Sequence, residues 1–121
     1  MEAVDGLVSL LFCLTFCVSA EPHVQAKEFL KSGSQFPLHA CRQRMELWFQ
    51  PSVSATLKLI AVNGSILEIF RNKIVYITDQ ATNELIPFLT NAKLHDSGLY
   101  LCYEVGSVKL HSSIKVLVYC K

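Results

Sequence analysis

The sequence predicts an all-β domain, built as a sandwich or a barrel. Short runs of β-branched and aromatic residues recur at close intervals, and turn-forming residues separate most of them. No stretch of helical length keeps an apolar rhythm of 3.6 residues. The chain has 121 residues, of which 51% are hydrophobic and 17% charged. This composition fits one small domain and excludes a disordered chain.

Eight strands are predicted from these runs. In chain order they cover Phe36 to Cys41, Glu46 to Gln50, Leu57 to Val62, Ile66 to Phe70, Ile74 to Thr78, Leu85 to Thr90, Gly98 to Val105 and Lys109 to Tyr119. The strongest break is Asn63-Gly64, because both central residues of a type I′ hairpin turn need positive φ and this pair tolerates it. Asn63 also begins the sequon Asn-Gly-Ser, which predicts N-glycosylation on an exposed loop.

The first twenty residues are typical of a secretory signal peptide. An apolar run from Leu7 to Val18 is followed by Ser19-Ala20 and then by the polar Glu21-Pro22-His23. The run is shorter than the roughly 20 apolar residues that span a bilayer. We therefore expect cleavage after Ala20, one domain over residues 21–121, a secreted or cell-surface location and no membrane span in this chain.

Three cysteines follow the signal: Cys41, Cys102 and Cys120. An odd number in an oxidising compartment predicts one bridge and one further thiol, and the spacing alone does not choose among the three pairings. The remaining thiol has two interpretations. If it is Cys120, it either links two chains through an interchain disulfide or stays capped.

The segment Asp96-Ser97-Gly98-Leu99-Tyr100-Leu101-Cys102 fits the pattern D-x-G-x-Y-x-C. With it, the sequence resembles a variable-type (V-set) domain of the immunoglobulin superfamily. The resemblance implies an immunoglobulin-like V-type β-sandwich, in which two antiparallel sheets have Greek-key connections. It also implies a Cys41–Cys102 bridge, a buried Tyr100 whose hydroxyl returns to the backbone, and Trp48 packed on the bridge in the core.

Two further details depend on this resemblance. Arg71 or Lys73 is expected to pair with Asp96 at the end of the sandwich. Phe36 and Leu38 alternate with Ala40 instead of Cys41, so a β-bulge is expected to turn the Cys41 side chain inward. Without such a bulge, Cys120 becomes a rival partner for the bridge.

The expected binding surface is the outer face of the sheet that contains the strands of Trp48 and Cys102. Alternation places Leu47, Phe49, Leu101 and Tyr103 outward there, and Val105 and Val108 lie beside them in a short hairpin. An apolar patch of this size indicates a protein contact. The alternative is that the strand phase differs by one residue and that these side chains belong to the core.

The sequence predicts recognition and no catalysis. His95, Asp96 and Ser97 are neighbours on one turn and cannot converge as a catalytic relay, and the four histidines lack metal-site spacing. A net charge of +1 predicts no nucleic-acid partner.

We expect extracellular protein–protein recognition in immune or cell-surface signalling, without a cofactor. The partner is a protein ligand or a second immunoglobulin-domain chain, and a disulfide-linked homodimer is one possible form. In overall plan the chain resembles Thy-1-like or CD28-like surface glycoproteins. The alternative is an assembly subunit that pairs permanently with another immunoglobulin-domain chain.

Overall fold

Two β-sheets pack face to face around a single apolar core. The structure is a computed structural model that describes residues 26–39 and 41–120. The predicted signal peptide, residues 1–20, lies outside the described residues. Within them the chain is strand-rich and contains only two 3-10 turns as helical elements. The predicted fold class, an all-β sandwich, is confirmed.

Nine strands are present in the described residues. They are β1 (Ala26–Lys31), β2 (Phe36–Pro37), β3 (Glu46–Gln50), β4 (Lys58–Val62), β5 (Ser65–Ile66), β6 (Ile74–Asp79), β7 (Glu84–Leu89), β8 (Gly98–Tyr103) and β9 (Leu110–Tyr119). A six-stranded sheet has the order β1-β9-β8-β3-β4-β5, and a three-stranded sheet has the order β2-β7-β6. All pairs are antiparallel except β1 with β9. The 3-10 turns cover Glu68–Phe70 and Leu94–Asp96.

Most predicted strands are present with small shifts of their ends. The hairpin at Asn63-Gly64 is confirmed, since φ is 51° at Asn63 and 86° at Gly64. The predicted strand from Ile66 to Phe70 is wrong beyond its first residue, because the chain turns into a 3-10 helix there. The first strand, β1, was not predicted. Its core-facing positions include only one buried apolar residue, Leu30, so its alternation is weak.

Strand β2 is much shorter than the predicted Phe36 to Cys41. The Leu38 N–H donates to the Pro87 carbonyl at 2.9 Å. Pro87 has no N–H with which to return a hydrogen bond, so the ladder between β2 and β7 stops at this point. The chain then turns, with the Cys41 N–H donating to the Leu38 carbonyl at 3.0 Å. This turn, and not a β-bulge, directs Cys41 into the core.

The core lies around the disulfide between Cys41 and Cys102, which joins the segment after β2 to β8. Both sheets contribute side chains that are at most about 1% exposed. From the six-stranded sheet these are Leu47, Ile60, Ala61 and Val116, and from the three-stranded sheet they are Ile74 and Leu89. The bridge implied by the family resemblance is therefore present, and Cys120 is the free, exposed thiol among the described residues.

Candidate functional site

The phase of strand β3 differs from the prediction by one residue. Leu47 is 1% exposed and Phe49 is 8% exposed, and both belong to the core cluster. Leu47 lies directly opposite Cys102, and the Phe49 ring centroid lies 4.8 Å from that of Tyr100. The prediction that Leu47 and Phe49 point outward is therefore wrong. The register with β8 explains it, because residues opposite inward-facing Tyr100 and Cys102 must face inward too.

Trp48 lies on the opposite side of β3 from the core. It is half-buried and does not belong to the core cluster, and its indole N–H donates to the Glu46 carboxylate at 3.0 Å. The prediction that Trp48 packs on the disulfide is wrong, and Leu47 occupies the place beside Cys102. The sequence does not show which side of β3 faces the core. The turn between Cys41 and β3 interrupts the alternation of inward and outward side chains that would relate the two segments.

The outer side of the six-stranded sheet carries a set of apolar and aromatic residues, which we call the outer face. Leu101 lies directly opposite Trp48, and Trp48 lies opposite Leu59. On the neighbouring rungs, the same side of the sheet carries further apolar and aromatic residues. The outer face comprises Phe29, Trp48, Leu59, Leu99, Leu101, Tyr103 and Leu117.

The members of the outer face differ in exposure. Phe29 is 64% exposed, whereas Trp48, Leu59 and Tyr103 are half-buried. Leu101 has no exposed surface at all. Leu101 is thus fully covered, whereas the neighbouring rings of Trp48 and Tyr103 are only half-buried. A partner can therefore contact the exposed parts of these two rings.

Sequence reasoning found Leu101 and Tyr103 on this face but missed their neighbours. Leu99 shares the phase of Leu101 within the D-x-G-x-Y-x-C segment, so period-2 alternation could have identified it. Phe29 and Leu117 face each other across the parallel pair β1–β9. Because β1 was not predicted, that pair could not be identified from the sequence.

Charged groups also lie on the outer side of the six-stranded sheet. Glu46 accepts hydrogen bonds from Trp48 and, at 3.5 Å, from the Gly106 N–H in the β8–β9 turn. On β9, Lys115 lies between Ser113 and Leu117 and directly opposite both Leu99 and Lys27. The apolar residues of the outer face are thus interspersed with an acidic group on β3 and basic groups on β1 and β9.

The remaining predicted residues of the surface lie in turns. Val105 is 50% exposed and Val108 is 97% exposed, and both belong to the β8–β9 turn next to Glu46. Asn63 is exposed at the tip of the β4–β5 hairpin, which leaves room for a glycan. Cys120 is exposed directly after β9.

A buried polar network holds the start of β8 in place. The Tyr100 hydroxyl donates to the Asp96 carbonyl at 2.7 Å. The Asp96 carboxylate accepts the Lys93 N–H at 2.8 Å and forms an ion pair with Lys73 at 2.7 Å. Of the two basic residues predicted to pair with Asp96, Lys73 is therefore the partner.

Gly98 permits close contact between β8 and β3 beside this network. Its φ is +150°, and a Cβ there would lie 2.7 Å from the Gln50 carbonyl oxygen. A larger residue would push the two strands apart at the point where Tyr100 enters the core.

Burial raises the pKa of the Tyr100 hydroxyl, and the nearby Asp96 carboxylate raises it further. Burial also raises the pKa of Tyr76. Since both folded pKa values lie above the unfolded value of about 10, the stabilisation from the neutral phenols is complete below pH 10 and is lost as the pH rises further.

We expect Tyr100→Phe to lower the free energy of unfolding by about 1 kcal/mol at pH 7, because the Asp96 carbonyl loses its buried donor. Between pH 10 and 11 the parent chain should lose stability more steeply than the variant, by up to about 1.4 kcal/mol per pH unit. Urea unfolding at pH 7, 10 and 11 measures both effects. Parallel pH curves for the two chains would show that Tyr100 is not held neutral by the fold.

The described residues contain no group of three or more His, Cys, Asp or Glu side chains that could hold a metal ion. No helix within the same residues is long and apolar enough to cross a membrane. Neither a protein-family model nor a curated protein matches the chain.

Proposed function

We propose that the chain is a V-type immunoglobulin-like domain that recognises a protein partner outside the cell. Four features of the described residues support this proposal. They are the strand order of the two sheets, the bridge between Cys41 and Cys102, the buried Tyr100 hydroxyl on the Asp96 carbonyl, and the Lys73–Asp96 ion pair. A structural disulfide favours an oxidising, extracellular compartment. The outward Trp48 departs from the usual V-type core, and Leu47 replaces it there.

The outer face is the observation that carries the proposed recognition. It combines a tryptophan, a tyrosine and several leucines on the outer side of a six-stranded sheet. Tryptophan and tyrosine are enriched among the residues that dominate binding energy in protein interfaces. The half-buried Trp48 and Tyr103 lie outside the core between the sheets, so a partner that covers them would gain from burying their remaining apolar surface.

The partner is a protein with a complementary apolar centre, either a separate ligand or a second immunoglobulin-domain chain. Glu46 on β3 and Lys115 on β9, which lie on the same side of the sheet as the outer face, would orient that partner through charge. Exposed Cys120 would link two copies of the chain if the partner is a homodimer.

Binding of the multimerised chain to cells tests this function. The chain, biotinylated and assembled on streptavidin, is applied to leukocytes and epithelial cells, and binding is read by flow cytometry. We expect Trp48→Arg and Tyr103→Lys each to reduce binding at least tenfold, because Trp48→Arg places a charge between Leu59 and Leu101 and Tyr103→Lys removes an aromatic ring from the outer face. Thermal unfolding of both variants verifies that the domain stays folded.

The matched control is Val75→Arg. Val75 is 38% exposed on β6, on the outer side of the other sheet, so the substitution adds the same charge to an apolar position away from the outer face. We expect Val75→Arg to bind as the parent does. If Val75→Arg abolishes binding while Trp48→Arg and Tyr103→Lys keep it, the recognition surface lies on the three-stranded sheet and our assignment is wrong.

A further inference from the structure

A cavity of about 420 Å³ opens between the two sheets, on the side where β2 ends. Its walls include the Cys41–Cys102 disulfide, Leu47, Ile114 and the segment that follows Phe36. A volume of this size is within the range of small-molecule sites. The walls are mainly apolar, and their polar side chains are those of Glu28, His39, Tyr100, Ser112 and Ser113.

The cavity results from the early end of β2. Pro37 ends the strand, and Pro87 cannot donate the hydrogen bond that would extend it. A longer β2 would have covered part of the inner side of β9. Because β2 ends early, the inner residues Ser112 and Ile114 of β9 face the cavity. The neighbouring inner position of β1 is the small Ala26, which does not fill the gap.

Ser112 places a buried hydroxyl in this cavity. The residue is 5% exposed and lies opposite Cys102 on the core side of the sheet. The structure gives its hydroxyl no hydrogen-bond partner among residues 26–39 and 41–120. Buried hydroxyl groups are almost always hydrogen-bonded, and one left without a partner is destabilising. A polar group of a bound molecule would supply the partner.

Glu28 places a carboxylate at another part of the cavity wall. It alternates with Lys27 and Phe29, which lie on the other side of β1, and so its side chain lines the cavity. Glu28 is exposed and has no ion-pair partner within the described part of the chain. No described lysine or arginine lines the cavity, and with His39, which does line it, counted as neutral, Glu28 is the one charged group of the wall. The cavity wall therefore favours a cation over an anion.

The Glu28 carboxylate and the Ser112 hydroxyl belong to distant positions of the cavity wall. Glu28 lies opposite Val116 on the neighbouring strand, and Ser112 lies four residues before Val116. At a rise of about 3.3 Å per residue this separation is about 13 Å along the sheet. An occupant that reaches both groups must be elongated.

We propose that this cavity binds an elongated apolar amine with a hydrogen-bonding group at its far end. The protonated amino group pairs with Glu28, the apolar body contacts the disulfide, Leu47 and Ile114, and the far group hydrogen-bonds to the Ser112 hydroxyl. This site is on the opposite side of the sheet from the outer face, and the proposal is independent of the proposed recognition function.

Isothermal titration of the chain with three probes tests the proposal. The probes are 10-aminodecan-1-ol, decylamine, which lacks the hydroxyl, and 10-hydroxydecanoic acid, which carries a carboxylate in place of the amine. We expect the amino alcohol to bind about tenfold more tightly than decylamine. The acid should bind at least tenfold more weakly than the amino alcohol, because Glu28 repels it.

Two variants and one control assign the effects to the two residues. Ser112→Ala should make the amino alcohol and decylamine bind equally, and Glu28→Gln should remove the preference for amine over acid. Lys27→Gln, next to Glu28 but facing the other way, should leave all three affinities unchanged. The proposal is overturned if the folded chain binds none of the probes, binds amine and acid equally, or keeps its preferences in both variants.

Discussion

Replacing both Cys41 and Cys102 by alanine should lower the free energy of unfolding by about 4 kcal/mol. The bridge closes a loop with a sequence separation of 61 residues, and the chain-entropy model assigns roughly that value to a loop of this size. Both cysteines are changed together, so that no liberated thiol can pair with Cys120. The loss would be a large share of the stability of a small domain. Urea unfolding measures it, and reductant should destabilise the parent by a similar amount.

Cys120→Ala is the matched control for the disulfide. Cys120 is exposed and lies outside the bridge, so this substitution should change the free energy of unfolding by less than about 0.5 kcal/mol. If the double variant at Cys41 and Cys102 unfolds within about 1 kcal/mol of the parent, the bridge does not stabilise the sandwich as described.

Asp96→Ala should lower the free energy of unfolding by about 3 kcal/mol, because it breaks a largely buried ion pair and leaves Lys73 with the Asn91 carbonyl as its remaining partner. The Lys93 N–H also loses its acceptor. Asp96→Asn keeps an oxygen for Lys93 and should cost less, about 1 to 3 kcal/mol. Chemical unfolding at neutral pH ranks the two variants.

The Arg42–Glu84 pair provides the comparison for Asp96. Its length, 2.9 Å, is close to the 2.7 Å of the Lys73–Asp96 pair, but its side chains are 33% and 47% exposed. Glu84→Gln should therefore cost less than about 1 kcal/mol. Equal losses of unfolding free energy for Asp96→Ala and Glu84→Gln would contradict the conclusion that burial makes the Lys73–Asp96 pair contribute more to stability than the exposed pair.

The fold could be predicted from the sequence because its strands are bounded by residues with specific backbone requirements. Asn63-Gly64 requires a hairpin, and the D-x-G-x-Y-x-C segment requires a strand with Tyr100 and Cys102 on one face. Strand β1 could not be predicted, since its core-facing side carries Ala26 and Glu28 and gives little apolar alternation. Strand β2 was predicted too long because it ends where its neighbour β7 has Pro87, which lacks the N–H needed to continue the ladder. Pro87 is distant in sequence, so the residues of β2 give no sign of this end.

The candidate site was only half predictable for a similar reason. In β8 the inward Cys102 fixes the phase, so Leu101 and Tyr103 could be placed on the outer side of the sheet. In β3 no residue fixes the phase locally, and only the pairing with β8 shows that Leu47 faces the disulfide. The direction of the side chains in β3 is thus set by its register with β8, and this register cannot be identified from the sequence of β3 alone.

The central claim is that the outer face contacts the partner, and Trp48 allows a direct test because it is the single tryptophan of the chain. Incorporation of 5-fluorotryptophan gives one fluorine resonance, which can be followed by ¹⁹F NMR while membranes solubilised from the cells that bind the multimer are titrated in. We predict that this resonance shifts or broadens as binding saturates. An unchanged resonance at saturating binding would contradict the claim.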